Sequence, residues 1–126
     1  LVIDDSRDFQ FLIKTFLEGT NFSCLFAADV LQATGIAIRD KPRVILLDIG
    51  LPGGDGILLL DRLRANVKTQ MIPIIVATGQ TTEGLEAKAR AKGATAFLQK
   101  PFNREKLLET LQQVLPESAL ATTTHR

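Results

Sequence analysis

The sequence has one cysteine, Cys24, and one histidine, His125. A single cysteine excludes an internal disulfide and a cysteine-rich zinc site, and it fits a reduced, cytoplasmic setting. A lone histidine in a polar, Thr-rich stretch excludes mechanisms built on a buried imidazole base or a histidine metal site. Trp and Tyr are both absent, so no native tryptophan signal reports on binding. No apolar run approaches the ~20 residues needed to span a bilayer, and no charged-then-apolar start resembles a signal peptide. Neither charge sign dominates. Fifteen Lys and Arg stand against fourteen Asp and Glu, for a net charge of +1. Nothing electrostatic therefore points to nucleic acid or a membrane surface as the main partner. No helix-turn-helix, kinase or cyclase segment is visible, and no short repeat suggests a solenoid.

What is present is ordinary for a folded chain. The length of 126 residues, with 45% hydrophobic and 23% charged residues, suits one domain with a sizeable core. The chain opens directly in an apolar run, Leu1-Val2-Ile3, so the first strand is expected to have lost a few residues at its start. Residues 1–115 are expected to form the domain. Residues 116–126, beginning at Pro116 and running into a Thr-rich end, are expected to be a linker or disordered tail.

Two kinds of segment alternate between these ends. Strand-length apolar runs occur at Leu1–Ile3, Phe22–Ala27, Val44–Leu47, Ile72–Ala77 and Ala94–Leu98. The third and fourth are continuous and β-branched, as in strands buried on both faces of a parallel sheet. Cys24 reads as a small buried hydrophobe in the second run. Helical spacing fills the gaps. Phe9, Leu12, Ile13, Phe16 and Leu17 form the first stripe, capped by Ser6 and stopped at Gly19. Val30–Arg39 forms a weaker second helix, interrupted by Gly35, with Asp29 as cap and Pro42 beyond its end. Ile57, Leu60, Leu63 and Arg64 mark the third, entered through Pro52-Gly53-Gly54. Thr82–Lys92 is an Ala-rich fourth helix, expected to be the least firmly packed. Asn103 caps the fifth, with Leu107, Leu108, Leu111, Val114 and Leu115 on one face. Leu58 is expected on an exposed helix face.

Five β–α pairs predict a doubly wound α/β fold with helices on both faces of a parallel sheet and right-handed crossovers. Ligands in such folds bind outside the carboxyl ends of the strands, at the topological switch point. The residues there are Asp4-Asp5, Asp48, Thr78 and Lys100-Pro101. Two carboxylates ~5 Å apart repel by ~3 kcal/mol at an effective dielectric near 20, so the cluster needs a cation or raised pKa values. Oxygen ligands without His or Cys select a hard divalent ion, Mg²⁺ above all. With a lysine and a threonine added, the set resembles a phosphoryl-transfer site in which an Asp can be the nucleophile.

The chain as a whole resembles the CheY-like receiver domains of bacterial two-component response regulators, from Leu1 to about Leu115. The resemblance rests on Asp4-Asp5, on the stretch from Asp48-Ile49-Gly50-Leu51 through Pro52-Gly53-Gly54-Asp55-Gly56, on Thr78, and on Phe97-Leu98-Gln99-Lys100-Pro101-Phe102. It implies a flavodoxin-like sheet of order 2-1-3-4-5 with five helices. Asp48 would be the phosphoacceptor. Asp4, Asp5, Asp48 and the backbone carbonyl of Gly50 would hold Mg²⁺. Thr78 and Lys100 would contact phosphoryl oxygens, and Phe97 would be an aromatic switch coupled to Thr78. Pro101 would follow a cis bond that aims Lys100 inward. The donor would be a histidine kinase or histidine phosphotransfer protein. The helix 4–strand 5–helix 5 face would pass the signal to a fused or separate output domain. The chain would be a signalling phosphoacceptor, catalysing only its own phosphotransfer and slow dephosphorylation.

Other readings stand beside this one. Asp4 and Asp5 also suit helix caps, Lys100 suits a solvated strand end, and Phe97 suits core packing. Asp55 suits a loop or helix start. A receiver-like interaction module that works without phosphorylation is the main alternative function. An Asp-nucleophile phosphatase is disfavoured, because Gly50 stands where its second Asp belongs. Gly50 and Gly54 occupy positions where many relatives carry larger residues, and Gly79 stands where Ala is usual. A bare Gly50 is expected to leave the site mouth open to water. Gln80, two residues past Thr78, is expected to reach that mouth and tune hydrolysis.

Overall fold

The computed structural model describes residues 1–51 and 56–115. Within them, five parallel strands alternate with five helices. The strands are β1 (Val2–Ile3), β2 (Phe26–Ala27), β3 (Ile45–Leu47), β4 (Ile74–Thr78) and β5 (Ala96–Gln99). The helices are α1 (Arg7–Phe16), α2 (Val30–Asp40), α3 (Gly56–Ala65), α4 (Leu85–Ala91) and α5 (Arg104–Val114). The sheet order is β2-β1-β3-β4-β5, the flavodoxin-like arrangement expected. The Pro52-Gly53-Gly54 entry to α3, Asp55 and the tail from Pro116 onward lie outside the described residues.

Alternation along each strand divides the core into two layers. Ile3, Ile45, Leu47, Ile74 and Val76 pack with Ala33, Leu60, Leu63 and Ala89 from α2, α3 and α4. Val2, Leu46, Ile75, Ala77 and Leu98 pack on the other face with Ile13, Leu107 and Leu111 from α1 and α5. Burial on both faces explains why β3 and β4 read as unbroken apolar runs. The expected caps form. Ser6, Asp29 and Asn103 accept backbone N–H bonds from Phe9, Gln32 and Lys106.

The boundaries differ from expectation where a residue's hydrogen bonds leave the ladder. The second apolar run pairs only at Phe26–Ala27. Its start turns through a Phe22 N–H to Thr20 Oγ1 bond, so Cys24 lies ahead of β2 and is half-buried rather than a core strand residue. β4 begins at Ile74, because Ile72 N–H closes a turn onto Thr69. β4 extends instead to Thr78, which pairs with Gln99. Ala94 N–H bonds back to Ala89 at the end of α4, which delays β5 to Ala96. α4 starts three residues late, because Gly84 before it adopts φ +80°. Ala89 is its buried residue, consistent with light packing.

Arg64 fastens the end of the sheet opposite the acidic cluster. Its guanidinium donates to the carbonyls of Gly93, Gln70 and Ile72 and to Thr95 Oγ1. Burial lowers its pKa from the ordinary arginine value. The clamp ties the end of α3 to the turns that lead into β4 and β5.

Candidate functional site

The sheet order delivers the polar strand ends side by side. Asp48 N–H donates to the carbonyl of Ile3, Asp4 N–H to Ala27 and Lys100 N–H to Thr78. These bonds continue the ladders one step past the last apolar residues. They fix Asp4, Asp48, Thr78 and Lys100 at one edge, across β1, β3, β4 and β5. Chain order reverses at β1, so the crevice lies at the switch point.

Asp4 is buried, with only 1% of its surface exposed. Its Oδ1 accepts from Ser6 N–H at 2.9 Å and its Oδ2 from Lys100 Nζ at 2.6 Å. The Gln10 side chain donates to the Asp4 carbonyl. Asp5 is exposed. Asp48 is mostly covered, its side chain 15% exposed, and its Oδ2 lies 3.8 Å from Lys100 Nζ. Its Oδ1 accepts from Gly50 N–H at 3.1 Å. One carboxylate oxygen from each of Asp4, Asp5 and Asp48 falls within 4.8 Å of the others. That spacing of three hard oxygen donors, with no His or Cys among them, fits a small divalent cation such as Mg²⁺.

Thr78 is buried, and its hydroxyl accepts from Gln80 N–H at 3.1 Å. The Gln80 side chain reaches toward Gly50 beside Asp48. A β-carbon built on Gly50 would stand 3.2 Å from Gln80 Nε2 and 3.7 Å from Asp48 Oδ1. Gly50 is exposed at the site mouth, and the Gln80 amide lies against the space that the missing side chain leaves. The Lys100–Pro101 bond is cis, and the ammonium lies 2.6 Å from Asp4 Oδ2 and 3.8 Å from Asp48 Oδ2. Phe97 is half-buried on β5 and packs against the α2–α3–α4 side of the core.

One contact was not legible beforehand. Lys100 Nζ sits 3.9 Å from the centre of the Phe9 ring, and Phe9 meets Phe102 edge-to-face at 6.0 Å. Phe9 shares a stripe with Ile13 in the sequence, which reads as core alone. The available signal was its place in the first turns of α1, at the carboxyl edge of the sheet.

No helix among the described residues is long and apolar enough to cross a membrane. Residues 1–112 match the family model described as the response regulator receiver domain. The phosphate regulon transcriptional regulatory protein PhoB of Pseudomonas aeruginosa is 36% identical over 115 residues, covering 91% of this chain and 50% of that one. Protein PilH of the same organism is 31% identical over 115 residues, covering 91% of this chain and 95% of that one. The chain thus spans about half the length of the first relative and nearly all of the second. Among solved structures, the receiver domain of the sensor histidine kinase PA1611 of P. aeruginosa superposes with a TM-score of 0.81 at 29% identity, covering 90% of this chain and 93% of that one. That receiver holds a magnesium ion in its active site cleft.

Proposed function

The chain belongs to the response regulator receiver domain family, and from that premise we propose that it is a phosphoacceptor switch with Asp48 as the acceptor. The observation that carries the reading is the position of the Asp48 carboxylate. It lies 3.8 Å from an ammonium and beside two further carboxylates spaced for a cation. A carboxylate oxygen of Asp48 attacks the phosphorus of a phosphohistidine or acyl phosphate. The donor's P–N or P–O bond breaks, and its electron pair leaves with the imidazole or carboxylate. A mixed anhydride remains on Asp48.

Asp4, Asp5, Asp48 and the Gly50 carbonyl are the residues that would hold Mg²⁺. When bound, the ion would supply positive charge against the phosphoryl oxygens. Lys100 adds a second positive charge, and the Thr78 hydroxyl, which accepts from Gln80 N–H, keeps its own proton to donate to a phosphoryl oxygen. The phosphoryl group brings close to two negative charges. That charge favours a conformer in which Thr78 moves toward Asp48 and Phe97 turns inward. The α4–β5–α5 face then carries the change to an output domain, fused or separate. A histidine kinase or histidine phosphotransfer protein in the cytoplasm is the proposed donor, with residues 1–115 as the working unit. Turnover is confined to the chain's own phosphotransfer and slow dephosphorylation, which Gln80 tunes.

Intact-mass analysis after incubation with acetyl phosphate tests this reading. A phosphoryl adduct that needs Mg²⁺ and is absent from Asp48→Asn supports it. The absence of any adduct, with beryllofluoride failing to perturb the fold, favours an interaction module that works without phosphorylation.

A further inference from the structure

The Lys100 ammonium has three hydrogens, and its surroundings are unequal. One hydrogen reaches Asp4 Oδ2 at 2.6 Å. Asp48 Oδ2, at 3.8 Å, is an ion-pair partner beyond hydrogen-bond distance. On another side stands the face of Phe9, 3.9 Å from the ammonium to the ring centre. A lysine side chain is long and rich in rotamers, so a charge that must meet a small target benefits from a fixed surface. An aromatic face attracts an ammonium electrostatically and displaces the water that would otherwise compete for it.

The ring is itself held in place. Phe9 packs with the α1–α5 side of the core, and Phe102 stands against it with an interplanar angle of 83°. Phe102 directly follows the cis Lys100–Pro101 bond. The same short stretch of chain after β5 thus carries both the ammonium over the Phe9 face and the ring at its edge. Lys100, Phe9 and Phe102 close a small loop of contacts between α1 and the end of β5.

We propose that Phe9 is a positioning residue, its ring face holding the Lys100 ammonium in reach of Asp48 before phosphoryl transfer. Its kinetic consequence rests on the reading of Asp48 as acceptor. Phe9 touches neither phosphorus nor the acceptor oxygen. It acts by limiting where the Lys100 charge can go when the phosphoryl group arrives from an acyl phosphate and the carboxylate departs. An aliphatic side chain of similar size keeps the packing and loses the attraction.

The test uses the whole chain in three forms, unsubstituted, Phe9→Leu and Phe9→Tyr. Two readouts are taken, the rate of adduct formation from acetyl phosphate at saturating Mg²⁺ and the NMR resonances of the Lys100 ε-methylene without phosphodonor. The ε-protons of the unsubstituted protein are expected upfield of the other lysines, because they adjoin an Nζ that lies over a ring face. In Phe9→Leu this shift disappears and adduct formation slows by about three- to tenfold. Phe9→Tyr keeps the shift and recovers most of the rate. An unshifted Lys100 in the unsubstituted protein overturns the proposal, even where Phe9→Leu fails to fold. A folded Phe9→Leu that phosphorylates at the unsubstituted rate also overturns it. If the unsubstituted protein forms no adduct, the acceptor reading fails, while the Lys100 shift still decides whether Phe9 holds the ammonium.

Discussion

Lys100 makes its shortest ion pair with Asp4, at 2.6 Å, and a longer one with Asp48, at 3.8 Å. The two partners differ in burial as well. Asp4 is closed from solvent and bonded to Ser6 N–H, whereas Asp48 keeps part of its carboxylate open. Lys100 thus sits closest to the buried acid and leaves Asp48 with unshared oxygen capacity. On the proposed reading of Asp48 as acceptor, a phosphodonor would meet a carboxylate with a cation beside it.

This arrangement leaves Asp48 under net repulsion in the absence of metal. At an effective dielectric near 20, two carboxylates within 4.8 Å oppose it by about 3 kcal/mol each, and Lys100 returns about 4 kcal/mol. Solvent at the exposed Asp5 shrinks the difference. Asp48→Asn is therefore expected to stabilise the metal-free protein by about 1 kcal/mol. Urea unfolding in chelator checks this, and a lower midpoint for the variant would count against the repulsion argument.

Mg²⁺ is expected to reverse that order. A ligand that binds only the folded state stabilises it in proportion to its occupancy. Titrating Mg²⁺ should raise the unsubstituted protein's melting temperature to a plateau, with a smaller rise in Asp48→Asn and Asp5→Asn. Equal rises in all three would place the ion elsewhere.

Gln80 and Gly50 are expected to behave as one unit. A methyl at position 50 meets the Gln80 amide at 3.2 Å, and a flexible side chain can yield to it. Gly50→Ala should therefore displace Gln80 and change the phosphoryl lifetime in the same direction as Gln80→Ala. The double variant should decay like either single one, since residues in contact are not additive. Additive effects would contradict the coupling of the two positions, and an unchanged decay in Gln80→Ala would remove Gln80 from the mechanism.

Two glycines make opposite stability predictions. At Gly56, the first residue of α3, an added β-carbon would run into the Ile49 backbone, and Gly56 N–H bonds the Ile49 carbonyl at 3.2 Å. Gly56→Ala should cost about 2–4 kcal/mol through backbone displacement next to Asp48. At Gly35, in the middle of α2, a β-carbon meets nothing within 4 Å. Gly35→Ala should gain about 0.5–1 kcal/mol from helix propensity. Chemical denaturation of both variants reads the contrast, and a stable Gly56→Ala would contradict the close approach.

The legible parts of the fold were those written in apolar periodicity and caps. β3, β4 and the stripe of α5 follow from burial on one or two faces, and Ser6, Asp29 and Asn103 stand where their hydrogen bonds form. The acids, Thr78 and Lys100 were legible because each directly ends a strand. Boundaries were harder. The Phe22–Cys24 stretch stays outside the ladder, which Leu25 joins only through its carbonyl, and the left-handed Gly84 shortens α4 within a plausible helical sequence. Contacts across the sheet edge were least visible. Nothing in local spacing says that a ring from α1 lies over a lysine 91 positions later in the chain, or that Gln80 lies against the space at Gly50.

The most direct test of the account is the location of the phosphoryl group. After incubation with acetyl phosphate and Mg²⁺, borohydride reduction converts an aspartyl phosphate to homoserine, which peptide mass spectrometry can place. The account predicts homoserine at position 48, dependent on Mg²⁺. A reduced residue at any other position, or none in a protein that binds Mg²⁺, would contradict it.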